Sequence, residues 1–141
     1  MGTLERASIE QWLQAEAESF EPPSSALVFH LAFAVPMGMK PDKPLIEKSE
    51  KQLSQVLDIY DQKLALSEYL AGDDFTLADL YHLPNSHYLV SRSERGRSLF
   101  TSRKNLDRWW KTISARPSWK KVVQLQAEHP GPLDKVLNVL G

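Results

Sequence analysis

Apolar residues recur at the helical period of about 3.6 residues along almost all of this sequence, and no run alternates as a strand would. Ile9, Trp12, Leu13 and Phe20 lie near one face of a first helix. Pro22-Pro23 is expected to interrupt it, with Ser24-Ser25 offering a cap for a restart. Leu27, Val28, Leu31 and Val35 continue an apolar face, with Phe29 and Phe33 on a neighbouring one. The segment 36–44, which holds Gly38, Pro41 and Asp42, reads as a loop. A long helix is expected over about 44–67, striped by Leu53, Val56, Leu57, Tyr60 and Leu64. Gly72 with Asp73-Asp74 marks a turn, and a further helix should start at Thr76 and run through Leu83 towards Leu89. Residues 91–98, SRSERGRS, read as a polar loop. Two shorter helices close the pattern, one striped by Leu106, Trp109, Trp110 and Ile113, the other by Trp119, Val122 and Val123. The expectation is a single all-α helical bundle over residues 1–141, with a surface tail from about 129 to 141.

A chain of 141 residues can bury roughly two-thirds of its unfolded surface, so it needs no metal or disulfide to hold a core. It has no cysteine, which removes disulfides, thiolate nucleophiles and cysteine-based zinc sites. The most apolar stretch, 26–39, contains His30 and Pro36 and is too short to cross a bilayer. Glu5, Glu10 and Glu16 interrupt the N-terminus before any signal-peptide core develops. Met1-Gly2 lacks the Ser or Thr that myristoylation needs at the sixth position, where Arg6 stands. The expectation is a soluble, cytoplasmic chain with no membrane partner.

The net charge of −1 conceals an asymmetry. Residues 1–90 carry 6 basic and 14 acidic side chains; residues 91–141 carry 11 and 4. A basic end suits either a nucleic-acid surface or attraction between two halves of one domain. No nucleic-acid motif accompanies the charge, so a nucleic-acid partner is not expected.

The most specific motif is Phe75-Thr76-Leu77-Ala78-Asp79-Leu80. Thr76 can cap the free amides of a helix start, and Asp79 can reach back to the Thr76 amide. Phe75 and Leu80 have the spacing of a hydrophobic staple. A carboxylate there also favours the helix dipole. Loss of the Asp79 cap should cost roughly 1–2 kcal/mol. Capping accounts for all six residues, so Asp79 is read as structural rather than catalytic.

The longer stretch LAGDDFTLADLYHLP, residues 70–84, resembles the signature of glutathione transferase C-terminal domains, and the plant phi class most closely. The segments QWLQAEAESFEPP, VLDIYDQKLALSEYL and ISARPSWKKV are similar to that class as well, so the resemblance covers nearly the whole chain. It implies an all-α domain that supplies most of the pocket for a hydrophobic co-substrate. It also implies a separate N-terminal thioredoxin-like partner domain, which binds glutathione as co-substrate and carries the activating serine. The sequence holds no βαβ pattern that would form such a domain. No catalytic residue and no cofactor is assigned to this chain.

By the same resemblance, Phe29, Phe33, Met37 and Tyr88 match positions that line the electrophile pocket. Phe29, Phe33 and Met37 stand at i, i+4 and i+8, although Pro36 interrupts the helix before Met37. Aromatic rings and a methionine suit flat, apolar, variable ligands. The same spacing serves ordinary core packing. His82 and His87 are five apart and do not form the usual i, i+4 metal pair, and no metal is assigned. His30 is read as a satisfied or exposed histidine. Ser86, Ser91 and Ser93 near His87 do not make a triad by sequence proximity. Trp12, Trp109, Trp110 and Trp119 fall on or beside apolar stripes and are expected in the core, one of the Trp109-Trp110 pair packing under a neighbouring segment.

Three functions remain open. The chain is the co-substrate half of a transferase that conjugates glutathione to hydrophobic electrophiles or reduces hydroperoxides, and is inactive alone. Alternatively it is a ligandin-like module for apolar small molecules, or a protein-interaction domain. A missing partner domain would expose apolar surface, which allows a homodimer or other self-association.

Overall fold

The computed structural model describes residues 2–131; the tail expected over about 129–141 lies mostly outside them. Among the described residues the regular structure is entirely helical. The segments are α1 (Thr3–Ala15), α2 (Glu21–Val28), α3 (Lys43–Leu64), α4 (Leu77–Leu80), α5 (Leu83–Arg92), α6 (Glu94–Thr101), α7 (Lys104–Ser114) and α8 (Pro117–Glu128). No helix among them is long and apolar enough to cross a membrane.

Pro22-Pro23 does not break the first helix. A π-helical turn over Glu16–Phe20 joins α1 to α2, and a second over Phe29–Phe33 continues α2. In the first, the Glu21 amide donates to the Glu16 carbonyl, one residue further back than in an α-helix. The wider turn falls just where a proline ring would otherwise crowd the preceding turn, and the prolines then sit at the start of α2, where amides lack helical partners anyway. The rod ends in a paired closure. Met39 donates to the Ala34 carbonyl at 2.8 Å and Gly38 donates to Val35 at 2.9 Å. Gly38 takes a φ of 74°, a conformation that favours glycine.

Asp42 starts α3 by accepting from the Leu45 amide at 3.1 Å, with a proline in the first turn. α3 lies against α2 on one side and α7 on another, while α2 also packs on α5 and α5 on α6. Phe20, Leu27, Leu53, Leu57, Tyr60, Leu83, Leu89, Phe100, Leu106 and Trp109 fill the space between them.

Two further sequence expectations are corrected. The helix from Thr76 is not continuous, because Tyr81-His82 separate α4 from α5. Pro84, in the first turn of α5, lacks the amide needed to continue α4's hydrogen bonding. The expected polar loop at 91–98 is instead helical on both sides of Ser93. Ser93 ends α5 and caps α6, its hydroxyl accepting from the Gly96 amide at 3.0 Å. Gly96 is needed because α5 and α6 touch there; a Cβ would stand 2.5 Å from the Leu89 carbonyl oxygen.

The charge asymmetry is met inside the domain. Arg95 pairs with Glu50, and Arg103 donates to Asp58 at 2.8 Å. Asp61 on α3 accepts from the Asn105 and Leu106 amides at 2.9 Å each, capping α7 from a neighbouring helix. Arg108 reaches the carbonyls of Leu64, Ser67 and Glu68 at the end of α3.

Candidate functional site: an aromatic wall over a buried polar centre

The polar centre lies at α4. Thr76 caps this four-residue helix, its hydroxyl accepting from Ala78 at 3.2 Å. Asp79 returns to the Thr76 amide at 3.0 Å. Its carboxylate does more than cap. It is fully buried, and its other oxygen accepts from the Leu70 amide at 3.1 Å and from the Trp109 indole at 2.8 Å. One side chain thus ties the loop before α4, the start of α4, and α7 together. Phe75 leans on Tyr69 with ring centroids 6.1 Å apart, and the Arg116 guanidinium lies 3.7 Å over its face. Leu80 is 39% exposed.

His82 is equally buried. Its Nδ1 stands 2.6 Å from the Ala78 carbonyl, which can only accept, so Nδ1 carries the proton. Nε2 then accepts from the Tyr60 hydroxyl at 2.9 Å. Burial pushes the imidazole down to about 4, against which the bond to Ala78 acts weakly. Burial, and then the Glu16 carboxylate, push the Tyr60 hydroxyl upward, so it keeps the proton it donates. Phe20 and Trp109 set their rings against His82 at 4.6 and 5.6 Å. These groups are shut off from solvent and serve the core. Among the described residues no three His, Asp or Glu side chains gather at metal-binding range.

The expected wall residues fall into two groups. Phe33, at the end of the second π turn, meets Tyr88 of α5 edge-to-face at 5.1 Å. Both are half-buried, and Gln126 of α8 donates to the Tyr88 hydroxyl at 2.6 Å. Phe29 begins the same π turn, is 37% exposed, and sets its ring against His30 at 5.1 Å. His30 Nδ1 accepts from the Asp42 amide at 3.5 Å, which ties this turn to the start of α3. Met37 is not on the helical face of the two phenylalanines. It lies in the closing turn before Gly38, 45% exposed, because the helix ends around Ala34 and Pro36.

Sequence reasoning passed over the partners that fix this wall. Gln126 and Asn85 carry no motif. Asn85 of α5 donates to Ser24 of α2 at 3.1 Å, holding together the two elements from which Tyr88 and Phe33 extend. Only the spacing of Asn85 to Tyr88, three residues on one helix, hinted at a shared face.

These features define a class of protein: an all-α domain built on a capped, buried carboxylate, presenting aromatic side chains from a helical hairpin and a neighbouring helix. A sequence model described as "Glutathione S-transferase, C-terminal domain" matches residues 24–117, and the chain belongs to that family. Within it, the chain is of the plant phi type. It is 46% identical over 118 residues to glutathione S-transferase F10 of Arabidopsis thaliana, covering 84% of this chain and 54% of that protein. The crystal structure of glutathione transferase F2 from Populus trichocarpa matches with a TM-score of 0.87 and 54% identity, over 91% of this chain and 59% of that one. A maize glutathione S-transferase I structure, in complex with an atrazine glutathione conjugate, matches at 26% identity with a TM-score of 0.81, over 89% of this chain and 58% of that one. The chain spans little more than half the length of the curated relatives it matches.

Proposed function

We propose that this chain is the hydrophobic co-substrate-binding half of a glutathione transferase whose glutathione site lies on a separate thioredoxin-like domain. The observation that carries the reading is the Phe33–Tyr88 pair, brought together at 5.1 Å from two different elements, with Phe29 exposed beside Phe33 on the same turn. Rings held this way give a flat apolar molecule contact area and make few polar demands on it. The maize relative's structure is in complex with an atrazine glutathione conjugate, which supports this reading. In the parent reaction a glutathione thiolate attacks the electrophile and displaces its leaving group, or two glutathiones reduce a hydroperoxide to an alcohol and water and are themselves oxidised to the disulfide. Activation of the thiol belongs to the partner domain. This chain contributes the wall, and alone it turns over no glutathione.

The test has two arms. The chain alone, assayed with glutathione and a chlorodinitrobenzene electrophile, should show no conjugation above the uncatalysed rate and no retention on immobilised glutathione. Clear turnover overturns the division of labour. Fluorescent apolar dyes should bind, and Phe29→Ala with Phe33→Ala should weaken binding about tenfold. Unchanged dye affinity in that double variant removes the wall.

A second reading, a ligandin-like module that holds apolar compounds without chemistry, is favoured by the exposed tip of the hairpin, where Val35, Met37 and Met39 all face solvent. It predicts dye binding that is unaltered when a thioredoxin-like partner domain is added. Binding that tightens or shifts to a glutathione-dependent mode supports the first reading instead. The same exposed surface supports self-association, which sedimentation of the chain at increasing concentration would register.

A further inference from the structure

Gln126 joins α8 to the aromatic wall. Its Nε2 donates to the Tyr88 hydroxyl at 2.6 Å, across 38 residues of sequence. Neither residue belongs to the core: both are half-buried, and α8 buries none of its residues. A half-buried hydroxyl needs no protein partner to offset burial, so folding does not demand this bond. Its direction follows from the groups involved. A phenol has one proton to give and lone pairs with which to accept, whereas an amide nitrogen can only donate. With Gln126 on a lone pair, the Tyr88 proton must point elsewhere, and among the described residues it meets no acceptor. An oxygen that accepts one hydrogen bond also becomes a stronger donor in the next. The ring is fixed separately, edge-to-face on Phe33 at 5.1 Å, and Asn85, three residues earlier, ties α5 to α2. The wall therefore carries one oriented donor beside its apolar rings.

We propose that Gln126 is a specificity-determining positioning residue. By holding the Tyr88 oxygen as an acceptor, it turns the phenolic proton towards the bound co-substrate. The wall then favours flat aromatic molecules that carry a neutral carbonyl on the ring over hydrocarbons of the same shape. This rests on Phe33 and Tyr88 forming the co-substrate wall, and it gives that wall a polar preference its rings lack. A carbonyl that meets the proton regains the hydrogen bond it gave up to water; without the proton it is left unpaired. Replacing the glutamine by glutamate reverses the bond. An ionised carboxylate can only accept, so it takes the Tyr88 proton and leaves none for the ligand.

The probes are 2-acetylnaphthalene and 2-isopropylnaphthalene, a ketone and a hydrocarbon of nearly one shape, titrated into the full chain at pH 7.5 and followed by quenching of Trp fluorescence. The ratio of ketone to hydrocarbon affinity should fall about fivefold in Tyr88→Phe and at least as far in Gln126→Glu, while the hydrocarbon binds wild type and both variants alike. The infrared carbonyl stretch of the bound ketone should lie lower in wild type than in either variant, a mark of the hydrogen bond that altered packing would not copy. The role of Gln126 is overturned if Gln126→Glu keeps the wild-type ratio and carbonyl band, or if only Tyr88→Phe changes them. A parallel loss of both probes in Gln126→Glu marks a merely structural contact and overturns it too. Each of these outcomes leaves the wall standing as long as Phe29→Ala with Phe33→Ala weakens the hydrocarbon. A hydrocarbon affinity that the double variant leaves unchanged overturns the wall, and this inference with it.

Discussion

Replacing Asp79 tests the centre of the fold most directly. A carboxylate acting only as a cap would contribute about 1 kcal/mol. In the structure it accepts three hydrogen bonds, from the Thr76 and Leu70 amides and the Trp109 indole, and no part of it reaches solvent. Asp79→Ala strands three donors, two of them far from the cap in sequence. Each orphaned buried donor costs about 1–3 kcal/mol, and partial relaxation or water entry recovers some of it. The expected loss is about 3–5 kcal/mol, a large fraction of the stability of an ordinary domain. Thr76→Ala removes the hydroxyl cap alone and should cost about 1 kcal/mol.

The assay is urea denaturation at pH 7.5, followed by Trp fluorescence and far-ultraviolet dichroism, with m compared between variants. Trp109→Phe completes a double-mutant cycle with Asp79→Asn. The asparagine retains one acceptor oxygen, but its amide nitrogen must face a donor. A coupling of about 1–2 kcal/mol is expected between positions 79 and 109. An Asp79→Ala loss no greater than that of Thr76→Ala, or strict additivity in the cycle, would refute the claim that this side chain organises three elements.

Three further outcomes follow from the same contacts. His82 is held neutral with its pKa near 4, whereas an unfolded histidine titrates near 6.5; the unfolded chain therefore takes up the proton first as pH falls, stability is full above pH 6.5, and about 3 kcal/mol is lost on approaching pH 4. His82→Gln should flatten that part of the stability profile relative to wild type, and an NMR titration of the native ring with a midpoint above 6 would contradict it. Gly96→Ala drives a methyl into the Leu89 carbonyl and should lower stability by roughly 1–3 kcal/mol, read as a shift in the urea midpoint; a neutral result would mean that α5 and α6 separate freely. Ser86 buries a hydroxyl oxygen that finds no hydrogen bond among the described residues, so Ser86→Ala should leave stability unchanged or raise it by up to about 1 kcal/mol, and a loss above that would reveal a partner for the hydroxyl.

The helices were readable wherever one apolar stripe faced one core. The stripe through Leu53, Leu57, Tyr60 and Leu64 and that through Leu106, Trp109 and Ile113 both point inward. The failures share a cause. In SRSERGRS, serine and glycine are ambiguous letters: Ser93 serves as a cap between two helices, and Gly96 serves a close helix crossing rather than a turn. At Pro22-Pro23, the break expected from proline is absorbed by a π turn placed before it, a choice made by packing of Phe20 and Leu27 into the core. Only part of the arrangement of Phe29, Phe33, Met37 and Tyr88 was legible in the sequence. Tyr88 and Phe33 lie 55 residues apart, and periodicity says nothing about which helices become neighbours. Met37 shows the limit from the other side, since its i+8 spacing holds only if the helix continues, and it ends first.

The capping motif and the wall are linked through α5. A helix of four residues has too few internal hydrogen bonds to fix its own direction. Here Asp79 fixes it from outside, by gripping Leu70 and Trp109, and His82 fixes the next turn, by gripping Ala78 and Tyr60. The chain leaves that clamp directly into Leu83 and Pro84, so the axis of α5 is set by buried polar contacts at its first residue. Along that axis, Tyr88 meets Phe33 on one side and His87 meets Trp119 on another. The Tyr88 ring is held in register by that axis and by the Gln126 amide that donates to its hydroxyl at 2.6 Å. The capping motif thus acts at a distance: through buried polar contacts it sets the direction of the helix that carries Tyr88 and His87.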